Sequence, residues 1–202
     1  MTAEGFIGYF GYGSLVNRMT LETKYEHAIP VRLNGWRRHW QSRADGYLHH
    51  SGKDIALLSV HPHSDGYLSG MLIIDRRDSL PEIDIRERGY DRHNLGSDQF
   101  EFPQGIGQIE IPQELFVYVG KTGSEKPDKP KLLQSYLHTV MAGYLAEYGA
   151  TGVEHLLETT VDFEREIIAD RDNPIYSRAI KPEDTLAARF DALLQSRGAS
   201  LI

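Results

Sequence analysis

Residues 6–12 are apolar and aromatic without alternation, the pattern of a strand buried on both faces. The run leads into Gly11-Tyr12-Gly13-Ser14, where the glycines open backbone conformations closed to other residues. Residues 28–33 and 36–40 flank Asn34-Gly35, a strong hairpin signal, and residues 55–60 and 67–74 flank a second turn centred on Asp65-Gly66. Segments 100–102, 109–111 and 115–119 read as further strands. Connections this short produce antiparallel neighbours, so the first two-thirds predicts a mixed or antiparallel β-barrel rather than a doubly wound sheet. A short helix interrupts the strands: Ser79 and Glu82 stand at capping-box spacing, Pro81 fits the first turn, and Gly89 supplies the stop. The last third reads as helical. Leu133, Tyr136, Leu137, Val140, Met141, Tyr144 and Tyr148 form a core stripe that Gly149 ends. Thr151 and Glu154 open a short helix through Leu156 and Leu157, and residues 182–197 form a final one with Leu186, Phe190, Leu193 and Leu194 on one face. The Lys- and Pro-rich stretch 121–131 is a loop.

Composition narrows the function. At 202 residues the chain suits one domain with a substantial core, here taken as 1–202. The formal net charge of −7 argues against nucleic acid as the main partner, because phosphate neutralisation needs a basic face. With no cysteine, disulfides, thiolate zinc sites and cysteine nucleophiles are excluded. The Met-Thr-Ala-Glu-Gly start lacks a basic and then apolar leader, and no apolar run is long enough to span a bilayer, so a soluble cytoplasmic protein with no membrane partner is expected. Aromatics such as Tyr47 read as scattered surface residues, and the oligomeric state is left open.

Several familiar motifs fail on spacing. Gly8, Gly11 and Gly13 do not form G-x-G-x-x-G, and neither a P-loop lysine, a G-x-S-x-G elbow nor His-Glu-x-x-His is present. His49-His50 and His61-Pro62-His63 lack an evident third ligand and read as solvated loop histidines. Asp170-Arg171-Asp172 reads as a solvated or ion-paired loop.

Two features carry chemistry. In the segment Tyr9-Phe10-Gly11-Tyr12-Gly13-Ser14-Leu15, a glycine-rich turn after a buried strand can aim successive amides into one concavity suited to a carboxylate or oxyanion; the same turn also fits a plain bulge. The second feature is Glu87. With Leu80 and Ile83 it falls at i, i+3 and i+7 on the short helix, so a carboxylate sits on the apolar stripe near a helix C-terminus. Burial and macrodipole both push its pKa upward, toward the range of a general acid or base. Arg86 and Arg88 oppose this if they fold back, although their helix positions point elsewhere; a partly exposed Glu paired to one of them fits the pattern equally.

Together these segments resemble the γ-glutamylcyclotransferase-like superfamily, which includes the ChaC-type glutathione-degrading enzymes. The resemblance rests on Tyr12-Gly13-Ser14-Leu15 at the end of the first strand and on Ile83-Asp84-Ile85-Arg86-Glu87-Arg88-Gly89-Tyr90. Between and after these, residues 31–38 and 115–119 look like the family's second strand and its pocket-closing strand, covering roughly residues 6–145 in consistent order. It implies an α+β fold, a small β-barrel flanked by helices with the pocket at one mouth, and residues 150–202 as a helical C-terminal extension. It further implies that Tyr12, Gly13, Ser14 and Leu15 bind a γ-glutamyl group through backbone amides, that Glu87 is the catalytic carboxylate, and that Tyr118 is a pocket wall or hydrogen-bond donor. The implied reaction releases 5-oxoproline from a small γ-glutamyl molecule and needs neither metal nor organic cofactor. A non-catalytic sensor of the same small acid is the alternative, disfavoured by the retained Glu87. Arg88 departs from the small or variable residue expected beside the catalytic Glu, and segment 159–178 is positioned to reshape the pocket.

Overall fold

The computed structural model describes residues 5–45, 49, 51–107, 109–123 and 129–202. Tyr47, His50, the first four residues and part of the 121–131 loop lie outside the described residues.

The fold is α+β, built on a mixed sheet. Strand β1 (Phe6–Gly11) lies at its centre, antiparallel to β3 (Leu57–Arg76) and parallel to β6 (Leu115–Gly120). Tyr9 and Phe10 are 2% and 1% exposed, as a strand covered on both faces requires. Outside β3 lies β2 (His27–Gln41), which pairs with the short β5 (Phe100–Glu101) and with β8 (Thr160–Val161); outside β6 lies β4 (Tyr90–Asn94). A second sheet joins β7 (Leu132–Leu133), β9 (Glu166–Ile168) and β10 (Ser200–Leu201) in parallel.

The expected barrel is not closed. The strand path runs from β4 to β5, and among the described residues no pairing joins those ends. Their sequences explain the opening: residues 91–94 of β4 are polar and exposed, which blunts an edge, and β5 is only 2 residues long. Neither Asn34-Gly35 nor Asp65-Gly66 makes a hairpin turn. Both lie inside long strands, where Asn34 pairs with Tyr67 and Trp36 with Pro62, so the two signals face each other as bulges. Gly35 takes φ +83°, and a Cβ on Gly66 would fall 2.5 Å from the Trp36 carbonyl oxygen, so glycine serves both places. The expected strand at 109–111 is irregular.

Among the described residues three α-helices complete the fold: α1 (Leu80–Arg86), α2 (Gln134–Glu158) and α3 (Asp184–Gln195). Ser79 precedes α1 without the side-chain cap its spacing predicted, because a 3-10 turn at Arg77–Ser79 holds it in helical geometry. Gly149, at φ +68°, breaks α2 into two stretches where the sequence predicted a stop. The last third is therefore not purely helical, since β8, β9 and β10 and the irregular segment 169–183 interleave with its helices. The first stretch of α2 packs against the loop that follows β1: a Cβ on Gly143 would lie 2.6 Å from the Asn17 amide nitrogen, and Asn17 Nδ2 donates to the Thr139 carbonyl at 3.0 Å. No helix is long and apolar enough to cross a membrane among the described residues.

Candidate active site

The site grows from the two places where the sequence concentrated its chemistry. Beyond β1 the backbone turns through Gly13 into a 3-10 turn at Ser14–Val16, closed by Val16 N–H to the Gly13 carbonyl at 3.1 Å and Asn17 N–H to the Ser14 carbonyl at 3.0 Å. The amides of Ser14 and Leu15 therefore have no acceptor within the turn. The glycines are needed for close approach rather than for unusual φ. A Cβ on Gly11 would stand 2.5 Å from Leu15 Cβ, and one on Gly13 would stand 2.6 Å from the Tyr136 hydroxyl.

Glu87 caps the C-terminal end of α1, its N–H bonded to the Ile83 carbonyl at 2.9 Å. Ile83 is buried and anchors the helix, which turns the Glu87 side chain inward to 13% exposure. Burial raises the pKa of the carboxyl above the ordinary carboxylate range, while the guanidinium groups of Arg86 and Arg178 pull it back down in part. Arg86 does not point elsewhere, as its helix position predicted. Its Nε donates to Glu87 Oε1 at 3.1 Å, and its NH1 donates to the Thr20 carbonyl at 2.6 Å. Thr20 Oγ1 in turn donates to the Ser14 carbonyl at 2.7 Å, so one chain of contacts ties Glu87 to the glycine turn.

A cavity of about 560 Å³ joins these features, with Ser14, Glu87, Tyr90, Tyr136, Tyr176 and Arg178 on its wall. That volume suits a small molecule of amino-acid or dipeptide size. Of the predicted site residues, Ser14 and Glu87 share this cavity. Tyr12 points into the core, where its hydroxyl donates to the Tyr118 carbonyl at 2.7 Å. Leu15 is 9% exposed and lines a separate hollow of about 70 Å³. The Tyr118 hydroxyl donates to Asp84 Oδ1 at 2.7 Å on a neighbouring, more polar cavity that Glu87 also reaches.

The sequence reading missed much of the wall. Tyr136 belongs to the stripe read as core, yet its hydroxyl lies against Gly13 and the Ser14 main chain. Tyr176 and Arg178 come from segment 159–178, and Arg178 forms a two-pronged pair with Glu22 at 2.7 and 2.8 Å. Asp170 brings them in. Far from being solvated, it is 5% exposed and accepts from the Ser135 amide at 2.7 Å, the Ser135 hydroxyl at 2.6 Å and the Ile175 amide at 2.8 Å. Its neighbour Asp172 is paired with Lys181 at 2.9 Å. His61 and His63 are strand residues rather than loop residues, and the Nδ1 atoms of His61 and His39 stand 3.0 Å apart.

No family model matches the sequence, and no curated protein matches it significantly. Its structure does match solved ones. A structure titled gamma-glutamyl cyclotransferase aligns at a TM-score of 0.56 with 13% identity, over 95% of this chain and 99% of that one. An uncharacterized protein from Homo sapiens aligns at 0.56 with 12% identity, over 95% and 99% of the two chains. YkqA from Bacillus subtilis aligns at 0.54 with 14% identity, over 76% of this chain and 53% of that one. The order of strand, glycine turn and helix that carries Ser14 and Glu87 to one cavity is thus set in the γ-glutamylcyclotransferase-like fold, and this chain is a protein of that fold.

Proposed function

We propose that this chain cyclises a γ-glutamyl group, releasing 5-oxoproline and an amine, amino acid or peptide. One observation carries the reading: a buried carboxyl with raised pKa, Glu87, lies on the same cavity as the first residue of the 3-10 turn after β1. The substrate's α-amine attacks its own γ-carbonyl carbon, and Glu87 takes the proton that the nitrogen loses as the new C–N bond forms. The carbonyl oxygen then carries negative charge, for which the amides ahead of Val16 are the available donors. When the oxygen's electron pair returns, the bond to the leaving nitrogen breaks and Glu87 gives that nitrogen the proton it held. No water is consumed, and the attack is intramolecular, so holding the substrate folded supplies most of the advantage. One carboxyl does both transfers most effectively when its pKa lies near the working pH, the direction in which burial moves Glu87.

In this reading the whole chain is one working unit, with segment 159–178 supplying the outer cavity wall. Glu87→Gln keeps the shape and removes the proton carrier. It is expected to lower 5-oxoproline release by about 10² or more, the usual range for a general acid–base group. Release is measured across γ-glutamyl amino acids, γ-glutamylamines and γ-glutamyl peptides, and undiminished turnover in Glu87→Gln refutes the proposal.

A further inference from the structure

The cavity that holds Glu87 carries more charge than the two proton transfers use, and most of it is matched. Arg86 pairs with Glu87 at 3.1 Å and Arg178 with Glu22 at 2.7 Å. Glu82 and Arg88 also line the cavity but are exposed to solvent. Arg43 is different. It is half-buried on the same wall, and among the described residues no carboxylate pairs with it. Its Nε donates to the Ile55 carbonyl at 3.2 Å, which steadies the guanidinium and leaves NH1 and NH2 without a partner among the described residues. Apolar side chains, Trp40, Ile55 and Leu57, line the cavity too. A cation set against such a wall gives up part of its hydration, and here no protein anion offsets the loss.

The charged end of Arg43, not only its stem, belongs to the cavity. Tyr90 shares the wall, and its hydroxyl donates to the carbonyl of Leu58, another lining residue, at 3.1 Å. Burial holds that hydroxyl well above its ordinary pKa, Tyr12, Tyr136 and Glu87 add to the rise, and the Arg43 guanidinium opposes it. The hydroxyl therefore lies in the field of both Glu87 and Arg43. Glu87 is governed by burial and, among charges, chiefly by Arg86, Arg178 and Glu22, so Arg43 acts on it from a greater remove. In a substrate folded for cyclisation the α-amine and α-carboxylate share one carbon, which keeps both at the Glu87 end. The leaving nitrogen also meets Glu87, but the group it carries extends past the γ-carbonyl into the remaining volume. A cation set back from the reacting carboxyl meets that group.

We propose that Arg43 selects the leaving group, pairing through its terminal nitrogens with a carboxylate on it, so that this chain acts on γ-glutamyl amino acids or γ-glutamyl peptides rather than on γ-glutamylamines. This rests on the function proposed above and deepens it. A carboxylate supplies the anion that Arg43 lacks, and the planar guanidinium fork matches its two oxygens. A γ-glutamylamine without a carboxylate leaves the same cation unpaired, which is how a site built for a charged group rejects the analogue lacking it. Arg43 touches no reacting atom; its role is binding and choice.

The test compares γ-glutamylalanine with γ-glutamylethylamine, which differ only by the leaving group's carboxylate, and adds γ-glutamylalanylglycine, whose carboxylate lies one residue further out. Kinetics of 5-oxoproline release are read on the native chain, Arg43→Gln and Arg43→Lys, each shown by melting to be folded. The native chain is expected to prefer one of the two carboxylates over the ethylamine by about tenfold or more in kcat/KM. Arg43→Gln should remove that preference, chiefly through KM, and change the ethylamine by less than about twofold; Arg43→Lys should restore part of it. An equal loss on all three substrates means that Arg43 supports the fold or holds the glutamyl carboxylate, and overturns the proposal. A native chain indifferent to the carboxylate overturns it too. If the native chain releases 5-oxoproline from none of them, the cyclase reading fails instead. Calorimetric binding of the same three compounds then decides Arg43 alone: a carboxylate preference lost in Arg43→Gln sustains its role, and equal or absent binding refutes it.

Discussion

Burial raises the pKa of Glu87 and Arg86 pulls it back down in part, and the geometry predicts the effect of removing that charge. Arg86 Nε stands 3.1 Å from Glu87 Oε1, with the two side chains only 10% and 13% exposed. Opposite unit charges about 4 Å apart attract by about 4 kcal/mol in an effective dielectric of about 20. Arg178 remains near Glu87 and offsets part of the loss. Even a third of the attraction, about 1.4 kcal/mol, changes the ionised fraction tenfold at a fixed acidic pH. The sign comes from the chemistry: removing a cation disfavours the carboxylate, so Glu87 needs a higher pH to become a base. In Arg86→Gln the acid limb of the pH profile of kcat/KM is expected to move upward. On that limb activity falls about tenfold or more, and it recovers toward the native plateau in alkali. Arg86→Lys keeps the charge and holds the limb near its native place. Both variants weaken the bond to the Thr20 carbonyl, so a loss common to the two reports that link rather than the proton. An acid limb that stays put in folded Arg86→Gln, or moves equally in Arg86→Lys, refutes the reasoning.

The same structure sets three further outcomes. Because burial favours the protonated form of Glu87, the native chain loses stability as pH rises through the folded pKa, whereas Glu87→Gln carries no such term; the Tm of Glu87→Gln minus that of the native chain should therefore grow from acidic to neutral pH. Gly13→Ala places a methyl 2.6 Å from the Tyr136 hydroxyl and should cost about 1–3 kcal/mol in denaturant unfolding, with Tyr136→Phe in the same chain restoring at least about 0.5 kcal/mol beyond additivity. Asp170→Ala strands two amides and a hydroxyl, should destabilise by about 2–4 kcal/mol, and should raise KM more than it lowers kcat, because Tyr176 and Arg178 lose their support.

The elements that place the site were legible where burial alone decides the pattern. Residues 6–12 read as a doubly covered strand because no charged side chain interrupts them, and the structure buries residues 7–12, with the strand ending at Gly11. The strand boundaries in β2 and β3 misled because Asn34-Gly35 and Asp65-Gly66 signal positive φ or close backbone approach, which a bulge satisfies as well as a turn does. A clue was present in the phase of burial: Ile29, Val31 and Leu33 point inward before Gly35, and Trp36, Arg38 and Trp40 after it. One inserted residue keeps the same face buried across a continuous strand, whereas a hairpin needs no such shift. At the site, the inward placement of Glu87 was readable from helix spacing, whereas its pairing with the glycine turn came only as what the family resemblance implies. The roles of Tyr136, Asp170 and Arg178 were not, since they depend on how a distant segment crosses α2. A tyrosine in a core stripe and an aspartate in a charged loop look the same whether or not a wall hangs from them.

The outer wall is suspended between fixed points. Asp170 grips Ser135 at one end, and the Ile180 amide bonds Thr139 Oγ1 at 2.9 Å at the other, so residues 171–179 span two rungs of a single helix. The proposed reacting carboxyl comes from α1, far away in the chain, and shares none of those anchors. The wall and the carboxyl are therefore anchored separately and meet where the Arg178 guanidinium lowers the Glu87 pKa. With Asp170, Ile180 and Arg178 held, the rest of the span can change in length and composition without disturbing the support of Glu87.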